Sequence, residues 1–98
     1  MHDGAVLITG AARRIGAAIA RKLHAAGARV IVHCNRSRAE AERLSEQLNQ
    51  GRADSCAVVQ CDLLDDDGLA RLVEDATAGF GRLDALVNNA SSFYPTPF

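Results

Sequence analysis

The sequence predicts an α/β fold with a parallel sheet, and three observations predict it. Short apolar runs alternate with segments whose apolar residues recur at spacings of three and four, and glycines punctuate the joints. The runs return about every 25 residues, the length of one strand and helix unit. Parallel strands joined this way take right-handed crossovers.

Ala5 to Thr9 reads as the first strand. Ile15, Ala18, Ile19, Lys22, Leu23 and Ala26 then recur at helical spacing, and Gly27 stands where that helix should stop. "RVIVHC", Arg29 to Cys34, is the second strand. Arg38 to Gln50 is the second helix, with Ser37 as N-cap, Ala41, Leu44 and Leu48 on the inner face and Gly51 as stop. A third strand covers Ser55 to Gln60. Asp65, Asp66 and Asp67 bring carboxylates to the first turn of a third helix, where the macrodipole favours them, and Leu69, Leu72, Val73, Ala76 and Phe80 mark its apolar face. "LDALVNNA" supplies a fourth strand, apolar enough for a sheet covered on both faces. Together these elements read as the N-terminal βαβαβαβ part of a doubly wound, Rossmann-type domain with strand order 3-2-1-4.

The 98 residues suit one domain, and a net charge of −1 gives no general attraction to nucleic acid or an anionic membrane. Only Arg13 with Arg14 and Arg36 with Arg38 form local basic clusters. No run is long enough to cross a bilayer and the N-terminus lacks a signal-peptide pattern, so the expected compartment is the cytoplasm. Cys34, Cys56 and Cys61 lack a C-x-x-C spacing and read as buried, neutral thiols rather than metal ligands.

The chemistry concentrates in "TGAARRIG", Thr9 to Gly16. It follows the first strand and opens an amphipathic helix, the context in which a glycine loop cradles a pyrophosphate on helix N–H groups. Gly10 and Gly16 take two of the expected glycine positions, whereas Arg14 occupies the middle one. Its guanidinium either adds fixed positive charge beside the pyrophosphate or snorkels to solvent. At the end of the second strand, a site for NAD usually places a carboxylate on the ribose hydroxyls. Here His33, Cys34, Asn35, Arg36, Ser37 and Arg38 stand instead, with no acid before Glu40. Arg36 can fork onto a 2′-phosphate, helped by Asn35, Ser37 and the second helix N-terminus, which favours NADPH over NADH. His33 is given a supporting role. Asp62, ending the third strand, either accepts from an adenine amino group or serves as an N-cap or solvated acid.

"TGAARRIG", "CDL" and "VNNAS" in this order resemble the short-chain dehydrogenase/reductase family. The resemblance spans essentially the whole chain and is nearer to the pteridine reductase branch: arginine at the middle-glycine position, "HCNRS" after the second strand and "NNASSFYPTPF" at Asn88 to Phe98. It implies that Gly10, Arg14, Ile15 and Gly16 line the pyrophosphate, and that Arg36 and Ser37 hold the 2′-phosphate. Asp62 and Leu63 would lie against the adenine, and Asn89, Ala90 and Ser91 along the ribose and nicotinamide. Phe93 would stack on a pterin ring, with Arg14 and Ser91 reaching pterin or phosphate atoms. The function implied is NADPH-dependent hydride transfer to a pterin or dihydrofolate-like substrate, in a protein that is a homo-oligomer, commonly a tetramer.

The family's Tyr-x-x-x-Lys acid pair is missing. Tyr94 is the only tyrosine and is followed four residues on by Phe98, while the only lysine is Lys22. The chain also stops after a strand expected in mid-sheet, with an edge left open to pairing. The expectation is that 1–98 is the cofactor-binding part of one domain and that the catalytic acid lies beyond it. A reductase of ketoacyl or sugar carbonyls, and a non-catalytic NADP sensor, remain alternatives.

Overall fold

Alternate side chains of a strand face opposite sides of its sheet, so a strand apolar at every position needs cover on both. β1 (Ala5–Ile8) meets that demand, being buried along its whole length. The computed structural model describes residues 4–10, 14–61 and 68–87. Around β1 they place α1 (Arg14–Ala25), β2 (Arg29–Cys34), α2 (Arg38–Gly51), β3 (Cys56–Gln60), α3 (Gly68–Phe80) and β4 (Ala85–Val87) in strict alternation. The four strands are parallel in the order β3-β2-β1-β4, as the sequence predicts. Leu7 pairs with Ile31 on one side and Leu86 on the other, which puts β1 inside the sheet.

Two apolar layers follow from the alternation. Val6, Ile8, Val30, Val32 and Cys34 pack with Ala20 of α1 and Ala41, Leu44 and Leu48 of α2. Ala5, Leu7 and Ile31 pack with Leu72 and Ala76 of α3. α1 ends as expected: Gly27 takes φ 103°, its N–H bonds the His24 carbonyl and the Ala28 N–H bonds that of Leu23, the paired geometry of a glycine-terminated helix.

Several local expectations need correction. The buried residues of α1 are Gly16, Ala20 and His24, whereas Ile15 is 69% exposed and Ala18, Lys22 and Ala26 are also exposed. Small residues let the helix approach the sheet closely but add little to an apolar periodicity, so the pattern pointed to the flank, where Ile19 and Leu23 are half-buried. α2 runs through Gly51, and Ser37 makes no side-chain cap bond. Val73 of α3 is exposed at the border of its layer. Leu86 is 46% exposed, because no described element packs beyond β4 on the side it shares with Leu7. Asp65–Asp67 and the whole of 88–98 lie outside the described residues.

At the amino end of the sheet, α2 closes over the start of β3 through polar bonds. The Asn49 amide oxygen accepts from the N–H groups of Ser55 and Cys56, each at 2.9 Å, and its nitrogen donates to the Cys56 carbonyl at 3.0 Å. One side chain thus stands in for a neighbouring strand on an outer edge. Arg52 donates to the carbonyls of His24 (3.0 Å) and Ala28 (2.5 Å), tying the end of α2 to the end of α1. Ser55 Oγ donates to the Arg52 carbonyl and lies 2.6 Å from His24 Nε2. The serine proton being engaged there, the imidazole is the donor in the second contact. Burial, with the Arg52 guanidinium nearby, holds the His24 pKa below its ordinary 6.5.

Two outcomes are expected. Asn49→Ala leaves buried backbone groups without partners and should lower the unfolding free energy by about 1–3 kcal/mol, read from urea midpoints. For His24, the unfolded chain binds the proton more tightly than the folded one, so stability should fall as pH drops below 6.5 and level off beneath the folded pKa. His24→Gln should flatten that part of a pH-resolved denaturation series.

Candidate nucleotide site at the carboxyl end of the sheet

Parallel strands deliver all their carboxyl ends to one side, and the loops that leave them meet there. β1 continues into Thr9 and Gly10, β2 into Asn35, Arg36 and Ser37, and β3 into Cys61. Thr9 extends the β1 ladder, its N–H bonding the Val87 carbonyl at 3.0 Å. Gly10 then turns with φ 61°, a left-handed conformation that glycine takes without steric cost.

Arg14 opens α1 and is also left-handed, at φ 47°. A side chain there crowds the following carbonyl, which costs roughly 1–2 kcal/mol. This is the physical reason a glycine suits the position, and an arginine holds it under strain. Gly16 is buried one turn into the helix, and the first turn carries no acidic residue, so its N–H groups and the positive end of the helix dipole face the mouth unopposed. Arg14 and Ile15 are exposed beside it. Such an arrangement suits a pyrophosphate, and the donor set fits a dinucleotide phosphate chemically.

Behind β2, Arg36 and Asn35 are exposed and Ser37 is half-buried. Arg38 is held by Glu42 one turn along α2, at 2.9 Å. Among the described residues no hydrogen bond or ion pair engages the guanidinium of Arg36. Gln60 Nε2 donates to the Asn35 carbonyl at 2.9 Å, bracing the loop against β3.

The side chain that sequence reading undervalued is His33. It is 2% exposed, and its ring spans two of the loops: the Gly10 N–H donates to Nδ1 at 3.0 Å, and Nε2 lies 2.8 Å from the Cys61 carbonyl. Gly10 can only donate and the carbonyl can only accept, so the imidazole is neutral with its proton on Nε2. Burial holds its pKa below 6.5, opposed by the Cys61 carbonyl. The one available signal was a polar residue next to last in a strand that is apolar from Val30 to Val32.

Cys34 and Cys56 are buried and Cys61 is half-buried, none of them in a disulfide, and the Cys61 thiol donates to the Gly68 carbonyl at 3.1 Å. Burial raises the thiol pKa of the first two. Among the described residues no cluster of metal-ligating side chains is present, and no helix is long and apolar enough to cross a membrane. Asp62, Leu63, Asn89, Ala90, Ser91 and Phe93 lie outside the described residues.

Replacing Arg14 with glycine removes the strain together with the charge. Arg14→Gly should raise the unfolding free energy of the ligand-free protein by about 1 kcal/mol, measured by urea denaturation. The same variant should bind dinucleotide more weakly in a fluorescence titration.

Comparison with known proteins agrees with this architecture. The family description "short chain dehydrogenase" matches residues 4–98. Pteridine reductase 1 of Leishmania tarentolae is 44% identical, over 93% of this chain and 37% of its own length. Versicolorin reductase 1 of Aspergillus parasiticus is 43% identical over 90% of this chain and 34% of its own. L-fucose dehydrogenase of Oryctolagus cuniculus is 37% identical over 92% and 30%. The chain spans about a third of the length of these relatives. With the family pattern matched from residue 4 onward across all four strands, the chain belongs to the short-chain dehydrogenase family.

Proposed function

We propose that this chain supplies the dinucleotide-binding part of an NADPH-dependent reductase whose substrate is a pterin or dihydrofolate-like ring. The observation that carries the reading is the placement of two disengaged cations. Arg14 stands at the first turn of α1 and Arg36 behind β2, both exposed at the carboxyl end of the sheet, while the nearby Arg38 is tied to Glu42. A pyrophosphate on the N–H groups of α1 neutralises the first and a 2′-phosphate the second. When bound, the cofactor supplies the hydride. The chain's own part is to orient it: Gly10, Arg14, Ile15 and Gly16 along the pyrophosphate, and Asn35, Arg36 and Ser37 about the 2′-phosphate, with His33 behind the loop.

The remaining assignments complete the reading. Asp62 and Leu63 flank the adenine, Asn89, Ala90 and Ser91 the ribose and nicotinamide, and Phe93 stacks on the substrate ring with Arg14 and Ser91 at its polar atoms. An aromatic face suits a flat, electron-poor heterocycle. The similarity to pteridine reductase 1 supports this choice of substrate. Proton donation to the substrate falls to residues other than these, since the chain holds no tyrosine with a lysine four residues on. The working assembly is a homo-oligomer, a tetramer by the family's habit.

A second reading has its own support. Versicolorin reductase 1 and L-fucose dehydrogenase are similar over nearly the same span, which fits a carbonyl substrate on the same cofactor platform. NADPH oxidation by the full-length protein separates the two. Turnover of dihydrobiopterin or dihydrofolate is expected; activity confined to ketones or sugars would transfer the assignment to the second reading.

Cofactor choice has a separate test. Arg36→Ala should weaken NADPH binding by about 1.5–3 kcal/mol, the range for a hydrogen bond to a charged group, and leave NADH nearly unchanged. Equal losses for both, measured by titration, would remove Arg36 from the phosphate.

A further inference from the structure

A glycine loop binds phosphate through the direction of its N–H groups, so whatever orients the peptide planes of the loop sets its affinity. Gly10 has no side chain to hold it and adopts a left-handed turn at φ 61°. Its own N–H points back into the protein, onto Nδ1 of His33 at 3.0 Å. The other ring nitrogen lies 2.8 Å from the carbonyl of Cys61, the residue that precedes Asp62 and Leu63. One buried ring therefore joins the loop read as the pyrophosphate cradle to the strand end read as the adenine wall.

We propose that His33 is a positioning residue for the dinucleotide: its neutral imidazole locks the Gly10 peptide in the binding geometry, and protonating it releases the loop and lowers cofactor affinity. The inference rests on the reading of this end of the sheet as the nucleotide site. The chemistry admits one protonation state. An imidazolium has a proton on both nitrogens, so Nδ1 would present an N–H to the N–H of Gly10. At 2% exposure the ring itself offers water little room to take over either bond, although Gly10 and Cys61 are half-buried. Burial already pushes the imidazole toward the neutral form. Asparagine in place of His33 keeps an acceptor that Gly10 can use and has no proton to gain, whereas phenylalanine keeps the ring and loses both bonds.

The surrounding elements bring other titratable and charged groups to this region. Among the described residues they are the Cys61 thiol after β3, Arg14 on α1, Arg36 after β2, and Arg71, Glu74 and Asp75 on α3; Asp62 and Asp65–Asp67, between β3 and α3 in the sequence, lie outside the described residues. Arg14, Arg36, Arg71, Glu74 and Asp75 are exposed, and among the described residues no charged side chain contributes to the downward shift of His33.

The test is the pH dependence of NADP+ affinity in the full-length protein, by calorimetry from pH 5 to 8, for wild type, His33→Asn and His33→Phe. Wild type should weaken as pH falls through the folded-state pKa of His33, which burial holds below 6.5, by up to about tenfold per pH unit. The 2′-phosphate of NADP+ titrates in the same range, so the readout is the slope difference between wild type and variant. His33→Phe should bind about tenfold more weakly at pH 8, and His33→Asn should recover most of that loss; both should have shallower slopes. Slopes identical in all three, or wild-type affinity in His33→Phe, would overturn the proposal. Should neither variant fold, the ¹⁵N spectrum of the wild-type imidazole decides it: the Nε2–H tautomer, with the Gly10 amide resonance following its titration, is required, and a Gly10 amide indifferent to it refutes the lock. If wild type binds no NADP+ while that amide still tracks His33, the nucleotide reading falls and the hydrogen-bonded link stands.

Discussion

Where three parallel strands end side by side, their last peptide groups have left the ladder that satisfied them, and something must tie the departing loops together without admitting water. In this chain a neutral imidazole does so. His33, next to last in β2, bonds the Gly10 N–H after β1 through one nitrogen and the Cys61 carbonyl after β3 through the other. The Gly10 turn is held directly by that arrangement. Because the imidazole can serve both neighbours only when neutral, the site inherits a dependence on proton activity from a residue that lines its floor.

The two ends of the sheet solve the same problem with different chemistry. At the amino end, Asn49, Arg52, Ser55 and His24 join the ends of α1 and α2 to the start of β3, with every bond directed at a carbonyl, an amide N–H or a serine hydroxyl. Those groups are paired with one another. At the carboxyl end the helix N-termini and two arginines face outward without comparable partners among the described residues. Mutual pairing in one cluster and spare donors in the other are what separate a structural closure from a binding surface.

Arg14 joins backbone strain to local charge. A left-handed arginine costs what a glycine would not, and at the first turn of α1 it adds a cation to the positive end of the helix dipole, the combination on which the proposed phosphate contact rests. The family pattern of glycine at this place and the arginine of this chain are two solutions to the same turn, one easing the backbone and the other adding a cation.

The sequence by itself determined the alternation of elements, the strand order 3-2-1-4, the turn at Gly27, the inner face of α2 and the cationic character of the loops after β1 and β2. Each of these is a local or periodic property, set by which residues are apolar and where glycine falls. Tertiary structure alone decided the rest. It rotated α1 so that Gly16 and Ala20 are buried toward the sheet, because close approach rewards small side chains that periodicity cannot register, and it buried His24 against Ser55. It also left Ser37 without a capping bond and brought Asn49 to the β3 edge. It joined His33 to Gly10 and Cys61 across separations of 23 and 28 residues, which no local pattern encodes: hydrogen-bond partners are chosen by the register of neighbouring strands, and register exists only once the sheet has formed.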